Sequence, residues 1–269
     1  MSSKQRVLGC VTSAAIGLAL TAGAANAAPL PTGWTTNGNA GTFSATDGDV
    51  TVPTGFSSYV WLSTAGSPSA GGNLPVPPLT GQETNGTTVS TPTFTVASGD
   101  KLKFVFNFIT SDGAQYTEYA WAGLFQGTST FDSYLFTART TPSGDTVPGF
   151  GLPGLGAGVM LTPATTPIIA GGPTFSPLGG SSGTCYSGGC GYTDWVGMDY
   201  TFTTAGTYSL QFGVTNALDT QYDTAFAVAG VTINDVPIDD DVPEPATLAL
   251  LGVALAGLGT GRRKRQACN

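Results

Sequence analysis

Four large apolar side chains, Leu102, Phe104, Phe106 and Phe108, alternate with Lys101, Lys103, Val105 and Asn107. A period of two places successive side chains on opposite faces of an extended strand, whereas a helix would scatter these rings around its circumference. Lys101 to Ile109 therefore reads as a strand that delivers one apolar layer. Turn residues bound it, with Ala97 to Asp100 before it and Ser111, Asp112 and Gly113 after it. The same alternation returns at Tyr208, Leu210, Phe212 and Val214, behind a turn at Thr203 to Gly206. Between 28 and 234 no long stretch keeps a 3.6-residue apolar period. Short β-rich runs separated by Gly, Pro, Ser and Thr point to an all-β fold, an antiparallel β-sandwich.

In chain order, residues 28–41 read as an extended lead-in. Phe43, Val50 to Val52 and Ser57 to Leu62 read as early strands, and 63–88 as a long Pro/Gly/Asn loop. Val89 to Val96 is expected to be one strand, Tyr116 to Leu124 another and Phe131 to Thr137 a third. Tyr119, Trp121 and Phe125 are candidate core aromatics. Residues 140–191 are rich in Pro and Gly, with strand-like pieces only at Val159 to Leu161 and Pro167 to Ala170. A loop of that length in a compact domain is functional, disordered or hiding edge strands. Trp195 to Phe202 and Ala225 to Ile233 complete the strands, and 235–241 reads as an exposed acidic linker.

Both ends carry processing signals. Lys4 and Arg6 precede an apolar run from Val7 to Ala22, and Ala25 to Ala27 form a small-residue cleavage site. A signal peptide over 1–27 is expected, removed by signal peptidase to leave Ala28 first. At the other end Pro243, Glu244 and Pro245 precede an uncharged stretch from Ala246 to Gly261. The cations Arg262, Arg263, Lys264 and Arg265 follow at once. This is slightly short of the roughly 20 apolar residues a membrane-crossing helix needs, and the cations would hold their end at the cytoplasmic face. The physical reading is a single, transient inner-membrane helix.

The order Pro-Glu-Pro, short apolar span and basic cluster, over 242–265, closely resembles the PEP-CTERM sorting signal. That resemblance implies recognition of Pro243, Glu244 and Pro245 by an exosortase, a membrane-embedded cysteine transpeptidase. It also implies delivery to the cell surface or extracellular matrix of a Gram-negative bacterium that makes exopolysaccharide. The strand layout resembles the jelly-roll sandwich found on such proteins, mainly in Phe106 to Gly113, Tyr119 to Ala122, Ala205 to Asn216 and Asp219 to Val231. Those are core and turn residues, so the resemblance implies a jelly-roll-like fold and carries little activity with it.

Charge and residue types narrow the chemistry further. Between 28 and 242 only Lys101, Lys103 and Arg139 face 16 acidic residues, a net of −13. Nucleic acid and anionic lipid need a basic surface, so both are excluded as partners. The chain has no histidine, which removes Ser-His-Asp and Cys-His nucleophiles and the usual zinc hydrolases. Cys185 and Cys190, separated by four residues including two glycines, are expected to close a small disulfide loop in an oxidising compartment. No catalytic constellation is legible, and a non-enzymatic, structural or adhesive role with glycan binding is expected. The alternative is a secreted carbohydrate-active enzyme using a carboxylate pair, with Glu83 and Glu118 the only glutamates of the domain. Trp34, Trp61, Tyr186 and Tyr192 are the aromatic candidates for stacking on sugars. Asp112, Glu118, Asp219 and Asp223 are the candidate ligands of a structural calcium, because hard carboxylate oxygens at loop bases suit that ion.

Overall fold

The computed structural model describes residues 27–69 and 81–238. The signal-peptide segment before Ala27, the sorting residues Pro243, Glu244 and Pro245, the apolar run and Arg262, Arg263, Lys264 and Arg265 lie outside these residues. In chain order the strands are β1 (Thr35–Asn37), β2 (Asn39–Phe43), β3 (Tyr59–Ser63), β4 (Glu83–Ser90), β5 (Phe94–Val96) and β6 (Lys101–Thr110). There follow β7 (Tyr119–Gln126), β8 (Thr130–Arg139), β9 (Asp145–Val147), β10 (Met160–Thr162), β11 (Thr166–Pro167) and β12 (Ile169–Ala170). After a short 3-10 turn at Ser176–Ser181 come β13 (Gly191–Tyr192), β14 (Val196–Thr201), β15 (Gly206–Ala217), β16 (Thr224–Ile233) and β17 (Val236–Pro237).

The described strands pair antiparallel in two main sheets. One sheet runs β10-β14-β6-β16-β3-β2, and the other β1-β4-β15-β7-β8 with β5 also on β15. Consecutive long strands alternate between sheets, β14 to β15 to β16, which gives the jelly-roll-like sandwich. Period-two alternation decides what lies between the sheets. Leu102, Phe104, Phe106 and Phe108 of β6 meet Leu210, Phe212 and Val214 of β15, Ala120, Ala122 and Leu124 of β7, and Phe226 and Val228 of β16. Phe106 stacks on Phe136 with ring centroids 3.9 Å apart. Each ring so buried stabilises the fold by about 1.5–3 kcal/mol.

The opposite faces are covered too. Tyr59, Trp61, Ile109, Ala225, Ala227 and Ala229 point outward from the β6 sheet and are capped by Phe175 and Leu178. Tyr119, Trp121, Phe125 and Tyr134 point outward from the β7 sheet, with Leu152 packed against them. The candidate core aromatics of β7 are thus buried, but on the outer face; the small residues Ala120 and Ala122 fill the inner one. Segment 140–191 is the cover for both outer faces, supplying Leu152 to one and Phe175 and Leu178 to the other.

Several expectations need correction. Val89 to Val96 is not one strand: Pro92 lacks an N–H for the ladder, and the chain breaks into β4 and β5. Part of the expected loop 63–88 is β4, paired on one side with β1 and on the other with β15. Val50 to Val52 forms no strand; Val50 makes only an isolated bridge with Asp47. The acidic linker does not begin freely at Asp235. Asn234 and Asp235 have φ of 50° and 65°, a left-handed pair of the kind that closes a two-residue hairpin. They fold β17 back on β16, with Ile233 opposite Val236. Lys103 Nζ donates to Asp235 Oδ1 at 2.9 Å, and Asn234 Nδ2 donates to Asp100 Oδ1 at 2.8 Å.

This places the two ends of the sandwich. β16 begins at Thr224, opposite Thr110, and ends at Ile233, opposite Leu102. The described residues end at Ile238, whose N–H donates to Val231 O at 3.2 Å in the Lys101 half of the sandwich, and Ala28 bridges Thr42, level with Val60, Val228 and Phe106 near mid-strand. The loops after Thr110 and before Thr224 lie at the other end, about 30 Å away over ten residues of strand.

Candidate functional site

At that distal end three loops converge. The turn after β6 carries Ser111 to Glu118, the disulfide loop carries Cys185 to Cys190, and the β15–β16 loop carries Leu218 to Asp223. The disulfide is present, with Cα atoms 5.7 Å apart. Its loop is docked by backbone: Tyr186 N donates to Ser111 O at 2.9 Å, and Ala114 N donates to Gly188 O at 2.9 Å. Gly113 is what permits the approach, because a Cβ there would lie 2.3 Å from the Tyr186 carbonyl oxygen.

The docking assembles a row of tyrosines. Tyr116 and Tyr186 meet edge to face at 5.6 Å, and Tyr186 and Tyr222 lie 5.1 Å apart. Tyr186 is 37% exposed, and its two neighbours are half-buried. Tyr186, followed by burial and the Asp219 and Asp112 carboxylates, pushes the Tyr116 phenol up. The Asp219 and Asp112 charges thus reach the row at Tyr116.

Beneath it Asp112 and Glu118 are buried, with 1% and 0% exposure. The hydrogen bonds run in one direction. Asp112 N donates to Thr110 Oγ1 at 3.1 Å, and Thr110 Oγ1 lies 2.8 Å from Thr224 Oγ1. Thr224 Oγ1 donates to Glu118 Oε2 at 2.9 Å. Ala217 N reaches Glu118 Oε1 at 3.2 Å, and Gly113 N reaches Asp112 Oδ1 at 2.6 Å. Burial pushes Asp112 up to about 6, and the Asp219 charge adds to that rise. Burial, then the Asp112 and Asp219 carboxylates, pushes Glu118 well above the ordinary carboxylate range.

Of the four acids singled out in the sequence, the structure brings Asp112 and Glu118 together through Thr110 and Thr224, and Asp219 acts on both only as a nearby charge. Asp223 is engaged elsewhere: Ser181 Oγ donates to its Oδ2 at 3.0 Å and Thr64 Oγ1 to its Oδ1 at 3.2 Å. Among the described residues no three His, Cys, Asp or Glu side chains form a ready metal-holding group. Of the four aromatic candidates, Tyr186 alone is in the row. Trp34 is core, stacked 6.0 Å from Phe212, and Trp61 is buried on the outer face. Tyr192 packs at the edge of that same outer cluster. Tyr116 and Tyr222 were not legible as partners, because the loops that unite them are distant in sequence. The one local signal was the short Cys185–Cys190 spacing, which fixes the loop bearing Tyr186.

Among the described residues no helix is long and apolar enough to cross a membrane, and 246–261 lie outside them. No curated protein matches the chain. Among solved structures, the K1 cleaved adhesin domain of Lys-gingipain from Porphyromonas gingivalis W83 matches with 11% identity and a TM-score of 0.33, over 74% of this chain and 92% of that one. The K3 adhesin domain of the same protein gives 11% and 0.30, over 74% and 93%. A structure described as "CBM4 structure and function" gives 10% and 0.27, over 75% and 93%. At such scores the likeness carries no argument about function. The tail is another matter: residues 241–265 match the PEP-CTERM protein-sorting motif, which implies exosortase processing, export and association with the cell surface. The chain thus joins an all-β sandwich to a PEP-CTERM protein-sorting motif at residues 241–265.

Proposed function

We propose that the protein is an adhesive, glycan-binding module held at the surface or in the exopolysaccharide matrix of a biofilm, on a Gram-negative cell. The observation that carries this reading is the placement of Tyr116, Tyr186 and Tyr222 at the Thr110 end of the sandwich, away from the Lys101 half in which the described residues end at Ile238. Tyrosine presents a flat, rigid, amphipathic face at little entropic cost, and sugar rings offer apolar faces to such surfaces. Tethering through the tail, after transient inner-membrane insertion and exosortase cleavage, would turn that row outward.

The buried acids support a binding role over a hydrolytic one. Asp112 and Glu118 lie under the tyrosines at 1% and 0% exposure, whereas a glycosidase pair must straddle a substrate. Signal-peptidase cleavage after Ala27 fits the fold as well. Ala28 N donates to Thr42 O at 2.8 Å, so the sandwich begins at the proposed new terminus.

The test is affinity electrophoresis of the purified protein in exopolysaccharide from its host, with reducing ends assayed in parallel. Retardation without sugar release is expected. Tyr186→Ala should weaken it roughly tenfold, the equivalent of about 1.4 kcal/mol for one stacking ring. Equal retardation of wild type and Tyr186→Ala would remove the row from the account, and sugar release abolished by Glu118→Gln would make the protein an enzyme.

A further inference from the structure

The pocket under the tyrosines is incompletely satisfied. No N–H or hydroxyl donates to the buried Asp112 Oδ2, and the Glu118 carboxyl is within hydrogen-bonding reach of Asp112; both amide atoms of Asn216, a residue with 0% exposure, are buried without a partner. Asn216 continues the inward series Tyr208, Leu210, Phe212 and Val214, and it adjoins Ala217, whose N–H holds Glu118. Thr110 continues the inward series of β6, and Thr224 that of β16. All of these side chains therefore converge on one space between the sheets at the distal end. Among the described residues no cation acts on Asp112 or Glu118; the neighbouring charges are those two groups themselves and Asp219. Native interiors seldom leave polar atoms without partners or charges without counter-charges.

We propose that this pocket is a calcium site, with Asp112 Oδ2, the Glu118 carboxylate and Asn216 Oδ1 as its side-chain ligands. Calcium takes six to eight oxygens, mixing carboxylates with amide and backbone carbonyls and water. Two buried carboxylates with an amide oxygen are such a set, and it needs no third carboxylate in tight contact. A divalent ion would neutralise the pair and give Asp112 Oδ2 a cationic partner. It would also join the β6–β7 turn to the end of β15, holding Tyr116 and Tyr222 on either side of Tyr186. Magnesium, which demands a small octahedron and sheds water reluctantly, fits buried ligands drawn from a turn and two strand ends poorly. The inference is independent of glycan binding, since the ion would be structural.

The experiment is a thermal melt of the purified protein after EGTA treatment, titrated with calcium or magnesium chloride, with calorimetric titration alongside. Calcium in about a hundredfold excess over its Kd should raise Tm by about 5–10 °C, and magnesium should not. Asp112→Asn should melt above the wild type in EGTA, because one buried charge is gone, and should lose most of the calcium shift. Asp223→Asn should keep the shift. If calcium leaves Tm unchanged up to millimolar concentrations, or if Asp112→Asn responds as the wild type does, the proposal is overturned. A calcium-free wild type that is stabilised by acidification but not by calcium would show a shared proton in place of the ion. Should Asp112→Asn fail to fold, the contrast between calcium and magnesium on the wild type decides alone.

Discussion

Gly213 is the most exacting test of how the outer face of the second sheet is packed. It sits opposite Trp121 in the β7–β15 ladder, and the indole lies flat over it. A Cβ added there would be 2.0 Å from Cζ2, 2.3 Å from Cη2 and 2.4 Å from Cε2. Those are three atoms of one rigid ring, so relief requires the whole indole to move. Trp121 is 1% exposed and wedged against Tyr119 at 5.5 Å, which leaves it little room. Overpacking of this kind costs about 1–3 kcal/mol, and the clash argues for the upper part of that range. The lower unfolded-state entropy of alanine offsets about 0.4–1 kcal/mol. A net loss of about 2 kcal/mol is expected for Gly213→Ala, or a Tm lower by about 4–8 °C in a domain of this size. Circular-dichroism melts with tryptophan fluorescence would measure it. Gly154→Ala, where a Cβ meets nothing within 4 Å, is the control and should stay within about 0.5 kcal/mol of wild type. In a Trp121→Leu background Gly213→Ala should cost almost nothing, a coupling of about 2 kcal/mol. A Gly213→Ala protein melting within roughly 1 °C of wild type would refute the stacking of Trp121 on this strand.

Two further predictions follow from the same structure. Replacing Cys185 and Cys190 by serine releases a loop closed over a handful of residues, worth about 2 kcal/mol in the chain-entropy account, and should weaken polysaccharide retardation along with Tm because Tyr186 rides on that loop. Burial pushes the Tyr134 phenol from 10.0 up to about 12 and raises Tyr59 further, with the Asp47 charge adding to the effect. A raised folded-state pKa contributes stability that is fully present below pH 10 and is lost as pH rises through the folded values. Urea midpoints measured from pH 8 to 12 should therefore fall above pH 10, and tyrosinate absorbance should show late-titrating phenols. A flat midpoint across that range would contradict the burial of these rings.

How much of this was legible depended on which faces were apolar. β6 and β15 declared themselves through Leu102, Phe104, Phe106, Phe108, Tyr208, Leu210, Phe212 and Val214, because one face is core and period two is then unmistakable. β4 did not, since Glu83, Thr84, Asn85, Gly86, Thr87 and Thr88 look like a loop. Its polar groups are satisfied by strands distant in sequence: Thr87 Oγ1 donates to Ser63 O at 2.6 Å, and Thr215 Oγ1 donates to Asn85 O at 2.8 Å. The outer faces were hidden for a different reason. Trp61 and Trp121 alternate correctly, but their coverings, Phe175, Leu178 and Leu152, lie in a Pro/Gly-rich stretch with no period to read. The acids Asp112 and Glu118 could be suspected from the turn they share. Asn216 could not, because its role depends on which way a strand end faces. The tyrosine row arises only from loop docking, through Gly113 and the disulfide.

The central claim is that this sandwich is carried to the cell surface by its tail. Intact mass and cell fractionation of wild type beside Glu244→Ala test it most directly. The account predicts wild-type protein ending near Val242 in the surface or matrix fraction, while Glu244→Ala keeps its tail and stays in the inner membrane. Wild-type protein that retains Arg262 to Arg265 and remains in the inner membrane would contradict it.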